Sequence, residues 1–229
     1  IRPEDMNILD YLNDDGQSIE PECFYPIIPL ILVNGSKGIG TGWSTNIPNF
    51  SPVKIINQLL SRLEEKAFLN IKPYYAKFKG TIELENGSYV SYGKYEIVTP
   101  DTIKIVELPI GEWTDDYKLF LDNSVKDKIN EGKKTKQFIK SYEDHCTDAE
   151  VMFIVKFVDS LSNITNGNLS KIKDILKLKS SRETNIKNMV LYNTDKKLKK
   201  YKNISDILEE FYHIRLDVYE KRRLYLIDE

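Results

Sequence analysis

Three groups of residues in this sequence could do chemistry: the adjacent pair His145-Cys146, a scatter of carboxylates before residue 23, and a basic glycine loop over residues 34–44. A thiolate beside an imidazole is a nucleophile with its base. Covalent catalysis needs the two within hydrogen-bond reach, however, and side chains adjacent in sequence rarely face each other. The second histidine, His213, stands alone, and an isolated imidazole is more often structural than a base or a ligand. The carboxylates Glu4, Asp5, Asp10, Asp14, Asp15, Glu20 and Glu22 lack the ligand spacing of a calcium loop, so they read as a solvated acidic segment. The fourteen tyrosines are spread through strand and helix patterns, where packing is their default use. Tyr74-Tyr75 could stack on a base, but nothing distinguishes them. No catalytic constellation emerges.

The glycine loop keeps a coherent reading. Residues 34–44 are Asn-Gly-Ser-Lys-Gly-Ile-Gly-Thr-Gly-Trp-Ser. Glycine lets a main chain turn tightly or approach a neighbour without a Cβ in the way. A phosphate loop of the Walker type needs Lys after its second glycine, whereas Gly40 is followed by Thr41. The dinucleotide fingerprint needs G-x-G-x-x-G between a strand and a helix, but here the glycines are spaced by two and lead to Pro48. Lys37 next to Ile39 suits another polyanion. Proteins that bend DNA from the minor groove insert Ile, Leu, Phe, Met or Pro between base steps. Gly38 and Gly40 would let the backbone approach the sugar-phosphate walls while Ile39 enters. The competing reading is a tight internal turn with Ile39 buried at its apex, and spacing alone leaves both open.

The rest of the chain must supply the frame. With 229 residues and a formal net charge of −2, it has room for one large domain or two small ones and for a sizeable core. No apolar run reaches the roughly 18 residues of a membrane span. Cys23 and Cys146 lie far apart without a partner motif, which indicates neither a disulfide scaffold nor a zinc site. The charge is uneven: residues 1–22 are acidic, while 171–202 hold eleven Lys and Arg, from Lys171, Lys173 and Lys177 to Lys199, Lys200 and Lys202. Such asymmetry suits either a nucleic-acid face or a solvated surface. Ile1 in place of Met, and a final helical pattern without a stop signal before Glu229, predict a piece of a longer protein.

The pattern predicts an α+β chain. A short helix is expected over 6–12, and a buried extended segment over 25–33. Ser51 is expected to cap a helix that starts at Pro52 and runs to about Lys66, with Val53, Ile55, Ile56, Leu59, Leu60 and Leu63 on one face. Asn86-Gly87 predicts a hairpin between strands 81–85 and 88–98, and Pro100-Asp101 turns the chain into 103–108 to make a meander. Thr114 would cap a short helix bearing Trp113, Tyr117, Phe120 and Leu121. Residues 126–142 read as charged and weakly helical, and 151–158 as an apolar strand. Ser170 would cap a helix with Ile172, Ile175 and Leu176 inward. Segments 188–193 and 198–202 form a further hairpin, and Ser205 caps a last helix. There Ile207, Phe211, Ile214, Val218 and Tyr225 alternate by four and three, as in a coiled-coil seam.

Several of these stretches carry a resemblance. Glu20-Pro21-Glu22, the run from Tyr25 through Ile39 to Thr45, Phe78-Lys79-Gly80-Thr81-Ile82-Glu83 and Glu107-Leu108-Pro109 with Trp113 and Tyr117-Lys118 come first. Lys177-Leu178, Asn188-Met189, Lys199-Lys200-Tyr201, Phe211-Tyr212, Arg215-Leu216 and Tyr219-Glu220-Lys221-Arg222 follow in order. Together they resemble the breakage-reunion region of type IIA DNA topoisomerases, in the eukaryotic and large-virus topoisomerase II branch. The resemblance covers essentially the whole chain. It implies the end of a winged-helix region over 1–50, a mixed α/β tower domain over 51–203, and the start of a coiled-coil helix over 204–229. By the same resemblance Ile39 intercalates and bends the gate DNA, with Lys37, Gly38, Gly40 and Thr41 beside it. Lys177 and Lys179, with Ser180 and Ser181, match the start of a second DNA-contacting stretch. The spacing from there to Asn188-Met189 is longer than the family's, so only the Lys177 end is carried over.

The nucleophilic tyrosine with its arginine neighbour, the magnesium-binding acidic domain and the ATPase of that family have no counterpart in these residues. The resemblance therefore implies an enzyme that uses Mg2+ and ATP, acts on double-stranded DNA as a homodimer, and works in the nucleus, or in host cytoplasm or virion if viral. It also implies that this piece is inactive alone and binds no cofactor. Two other classes stay open: a stand-alone architectural DNA-binding module, and a scaffold with no DNA contact. Binding that weakens steeply with salt would separate the last from the others.

Overall fold

The computed structural model describes residues 2–125 and 138–228. The chain forms two compact units. One takes the residues up to Tyr74 and resumes at Ile186, and the other is Tyr75–Asn185.

The first unit opens with a 3-10 turn, Pro3–Ile8, that buries Asp5. Of the helix expected over 6–12 only Met6–Ile8 are helical, as the end of this 3-10 turn, and strands β1 (Tyr11–Asp14) and β2 (Gln17–Pro21) follow as an antiparallel pair. The reason is the turn: Asp15 and Gly16 hold φ of +47° and +83°, and positive φ at both central positions fits a two-residue hairpin. The segment expected to be extended instead ends in a short helix, α1 (Leu30–Asn34), which starts directly after Pro29 and buries Leu32. The glycine loop is a hairpin of β3 (Ser36–Ile39) and β4 (Ser44–Ile47).

Helix α2 (Pro52–Leu63) begins at the expected proline, although the Ser51 side chain makes no capping bond. It stops short of Lys66 because Glu65 turns to φ +63°. Of its apolar stripe, Ile55 is buried and Leu59 packs on the core, but Val53, Ile56, Leu60 and Leu63 are exposed. At 100° per residue the stripe is roughly 160° wide, and only the edge holding Ile55 and Leu59 meets apolar neighbours.

In the second unit, β5 (Thr81–Glu85) and β6 (Ser88–Tyr92) make the expected hairpin, with Asn86 and Gly87 at φ +48° and +73°. The strand expected over 88–98 breaks at Gly93, where a Cβ would lie 2.5 Å from the Glu107 carbonyl oxygen. Beyond it, β7 (Lys94–Thr99) joins another sheet and pairs with β8 (Thr102–Glu107). Helix α3 (Thr114–Ser124) has Trp113, not Thr114, at its cap position.

Where weak helix was expected over 126–142, β9 (Ile139–Asp144) pairs with β10 (Phe153–Phe157); residues 126–137 lie outside the described ones. A short α4 (Leu161–Ile164) comes next. Then Asn168, not Ser170, caps the turn that leads into α5 (Ile172–Ile175) by accepting from the Ser170 N–H. Ile172 and Leu176 are buried as expected. The two-residue β11 (Lys179–Ser180) closes the unit. Its sheets run β7-β8-β10-β9 and β11-β6-β5, both antiparallel. Ile103, Ile105, Phe153 and Val155 pack with Tyr117 and Leu121 of α3, and the Tyr117 hydroxyl donates to the Leu176 carbonyl at 2.7 Å.

The chain re-enters the first unit as the expected hairpin, β12 (Met189–Tyr192) with β13 (Leu198–Tyr201), and ends in the 25-residue helix α6 (Ile204–Asp228). Asn203 caps α6 in place of Ser205, its Oδ1 accepting from the Asp206 N–H at 2.8 Å. Leu32, Ile47, Phe50, Ile55, Met189, Ile204 and Leu208 form this unit's core. Within it, Ile207 and Val218 of the expected seam are already buried, whereas Leu224, Leu226 and Ile227 near the helix end are exposed.

Candidate nucleic-acid interface

The β3–β4 hairpin grows from a pinned root. Asn49 donates from Nδ2 to the carbonyls of Val33 and Asn34 at 3.1 and 2.9 Å, and the Phe50 N–H reaches the Leu32 carbonyl at 2.7 Å. These bonds satisfy carbonyls that the end of α1 leaves without helical partners. Along the ribbon Lys37 lies opposite Asn46, Gly38 opposite Thr45 and Ile39 opposite Ser44. Side chains alternate along a strand, so Thr45 and Ile47 turn inward and are buried, while Lys37 and Ile39 share the outer face.

At the tip the Gly40 N–H donates to the Trp43 carbonyl at 2.8 Å, and the Trp43 ring folds back so that a Cβ on Gly40 would meet it at 2.9 Å. Gly40 is therefore required inside the protein. Gly38 is not: nothing lies within 4 Å of where its Cβ would be. Ile39 is 95% exposed, which removes the reading of a buried apex. Thr41 is exposed beside it.

Strand β12 lies against this ribbon. The Asn46 N–H donates to the Asn188 carbonyl at 2.8 Å, and Asn188 Nδ2 donates to the Ser44 carbonyl and hydroxyl at 3.1 and 2.9 Å. The Val190 N–H donates to Thr45 Oγ1 at 3.2 Å, and Tyr192 meets the Trp43 ring edge-on with centroids 6.1 Å apart. Reading the sequence singled out none of these four supports for the loop. Asn188 drew notice only as part of an Asn-Met match, and no local signal pairs it with Ser44.

Lys177 and Lys179 belong to the second unit. Lys177 follows α5 at φ +51°, with its ammonium over the Phe120 ring at 4.4 Å. Lys179 is paired with Glu85 at 2.9 Å, and Tyr92 donates its hydroxyl to the same carboxylate. The Glu85 contact holds the Lys179 pKa well above the ordinary lysine range, so this cation is partly neutralised by its own chain. Lys173 lies over the same Tyr92 ring at 4.5 Å.

His145 and Cys146 do not form a catalytic pair. His145 Nε2 lies 2.9 Å from Glu143, while Cys146 Sγ engages the main chain of Met152 and burial pushes its thiol pKa up. Among the described residues no group of three His, Cys, Asp or Glu side chains is placed to hold a metal ion. None of the described helices is long and apolar enough to cross a membrane.

A family model for the A-type subunit of DNA gyrase/topoisomerase IV matches residues 1–229. DNA topoisomerase 2-alpha of Gallus gallus is 39% identical over 226 residues, covering 98% of this chain and 14% of that protein. DNA topoisomerase 2 of Arabidopsis thaliana is 41% identical over 225 residues, covering 96% of this chain and 15% of that protein. The solved DNA-binding, cleavage and re-ligation domain of Plasmodium falciparum topoisomerase II superposes with a TM-score of 0.86. It is 37% identical, and the match covers 98% of this chain and 30% of that one.

Proposed function

Because the chain belongs to the DNA gyrase/topoisomerase IV family, in its topoisomerase II branch, we propose that it serves a type II DNA topoisomerase by binding and bending the duplex to be cut. The whole protein passes one duplex through a transient double-strand break in another, as a homodimer driven by ATP and assisted by Mg2+. In a eukaryotic cell it acts in the nucleus. Residues 1–50 close a winged-helix region, 51–203 form the tower, and 204–229 begin the coiled coil of the dimer.

One observation carries the bending role: an isoleucine 95% exposed on a hairpin whose root and inner face are fixed. Ile39 enters between two base pairs and unstacks them, at a cost of a few kcal/mol. The bend then brings more duplex against basic surface, which offsets that cost. Lys37 lies on the same face of the ribbon, and Gly38, Gly40 and Thr41 flank the wedge where the sugar-phosphate wall comes nearest. Lys177 and Lys179, in the second unit, bind phosphates of DNA.

The test is Ile39→Ala in the full-length protein with a duplex labelled at both ends. Loss of the bent, high-transfer population, with duplex-independent ATP hydrolysis unchanged, is the expected result. A bend angle equal to the wild type's refutes the wedge.

A further inference from the structure

The ribbon that carries Ile39 pairs only four residues of β3 with four of β4, and a two-stranded hairpin of that size is marginal without a partner. The partner is β12, and it does not extend the ladder strand by strand. Asn188 reaches Ser44 with its side chain and Asn46 with its carbonyl, while Val190 reaches the Thr45 hydroxyl with its main-chain N–H. Ser44 lies directly opposite Ile39 in the register, and Thr45 directly opposite Gly38. Tyr192 supports Trp43 at the tip. All of these contacts therefore fall on the strand or tip residues that hold Ile39 in place.

We propose that Asn188 and Thr45 are positioning residues for the wedge. They fix the angle at which Ile39 leaves the protein, and so govern how far the duplex bends more than how tightly it binds. The proposal rests on the wedge reading. A side chain pushed between stacked bases meets a restoring force, and a tip free to lean back yields to it. Functional side chains held to productive geometry need a supporting shell of packed and hydrogen-bonded neighbours. The Thr45 hydroxyl, buried on the inner face, and the Asn188 amide are that shell.

The experiment uses the full-length protein, the doubly labelled duplex, and the variants Thr45→Val, Thr45→Ser, Asn188→Ala and Ile39→Ala. Thr45→Val nearly preserves shape but removes the acceptor of the Val190 N–H, whereas Thr45→Ser keeps it. The expected result is a ratio of bent to unbent duplex about two- to tenfold lower in Thr45→Val and in Asn188→Ala, the range set by one net hydrogen bond. Duplex affinity at matched salt, its salt dependence and the melting temperature stay close to wild type, and Thr45→Ser restores the bend.

If Ile39→Ala abolishes bending while Thr45→Val and Asn188→Ala bend as wild type, the support role is overturned and the wedge stands. If Ile39→Ala bends as wild type, the wedge reading falls and takes this one with it. Loss of affinity and melting temperature together with the bend, or failure of Thr45→Ser to rescue, reduces both residues to a structural role and also overturns the proposal.

Discussion

Removing the carboxylate of Asp5 should destabilise the first unit far more than removing any other acid of its N-terminal segment. Asp5 is 1% exposed and lies between two arginines of α6, with Oδ2 at 2.8 Å from Arg215 Nη1 and Oδ1 at 3.0 Å from Arg222 Nη1. The two cations are not equivalent. The Arg222 side chain keeps 24% of its surface and can turn to water, but Arg215 keeps 5%. Arg215 is further held by the Tyr25 carbonyl at 3.2 Å and by the Tyr219 ring at 4.2 Å. Asp5→Ala thus strands a guanidinium that cannot rehydrate without moving the helix.

Breaking a buried ion pair from one side costs about 3–5 kcal/mol, a large share of the ~5–15 kcal/mol that holds a domain folded. Arg222→Met removes the hydrogen bond to Asp5 Oδ1 but leaves the Arg215 charge 2.8 Å from Oδ2, so it should cost less than Asp5→Ala. Hydrogen exchange of the α6 amides reads the effect locally, and urea unfolding reads it globally. In Asp5→Ala the amides around Arg215 should lose protection by about two orders of magnitude or more. This follows because each 1.4 kcal/mol is a factor of ten in an opening equilibrium. A loss below ~1 kcal/mol, the level of a hydrated surface pair, would refute the claim that this cluster fixes α6 to the Pro3–Ile8 turn.

Two further outcomes are expected. Lys118, 2.7 Å from Asp144, holds that carboxyl at a pKa of about 2 with help from the Cys146 N–H. The folded value is depressed, so the stabilisation is present above the ordinary carboxylate range and is lost as pH falls toward 2. Lys118→Met should raise the Asp144 titration seen by carboxyl NMR and move acid unfolding to higher pH, and an unmoved titration would contradict the pairing. Gly38→Ala meets no atom within 4 Å of its new Cβ and needs no positive φ. Its melting temperature should hold or rise, since the change removes up to ~1 kcal/mol of unfolded-chain entropy, while duplex binding weakens. Unweakened binding would mean that the backbone at Gly38 does not approach DNA.

What could be read from the sequence follows the range of the interactions. Asn86-Gly87 and Pro100-Asp101 specify their turns within a few residues, and Pro52 sets the start of α2 by its own ring. Asp15-Gly16 carried the same kind of signal as Asn86-Gly87, but the run of acids around it suggested a loop and hid a hairpin. The break at Gly93 was not legible, because the Glu107 carbonyl that excludes a side chain there arrives from another strand. Asp5 counted as one of seven solvated acids because its partner Arg222 lies 217 residues away. The apolar stripe of α2 was visible, but which edge of it would be covered depended on α1, β4 and β12, whose placement no single helix reveals.

The glycine loop shows the same division inside six residues. By spacing, Gly38 and Gly40 looked alike, both serving a close approach to a ligand around Ile39. The structure separates them, since Gly40 makes room for the protein's own Trp43 and Gly38 makes room for nothing within the chain. A strand residue that gains nothing internally from being glycine still loses backbone entropy on folding, so an internal turn does not account for it. The space beside it is open to the duplex proposed for this loop. The exposed isoleucine, the unexplained glycine and the lysine next to it lie in three consecutive positions of β3. Asn188 and Thr45 hold the opposite strand still, which is the arrangement a wedge needs if it is to bend the duplex and not be bent by it.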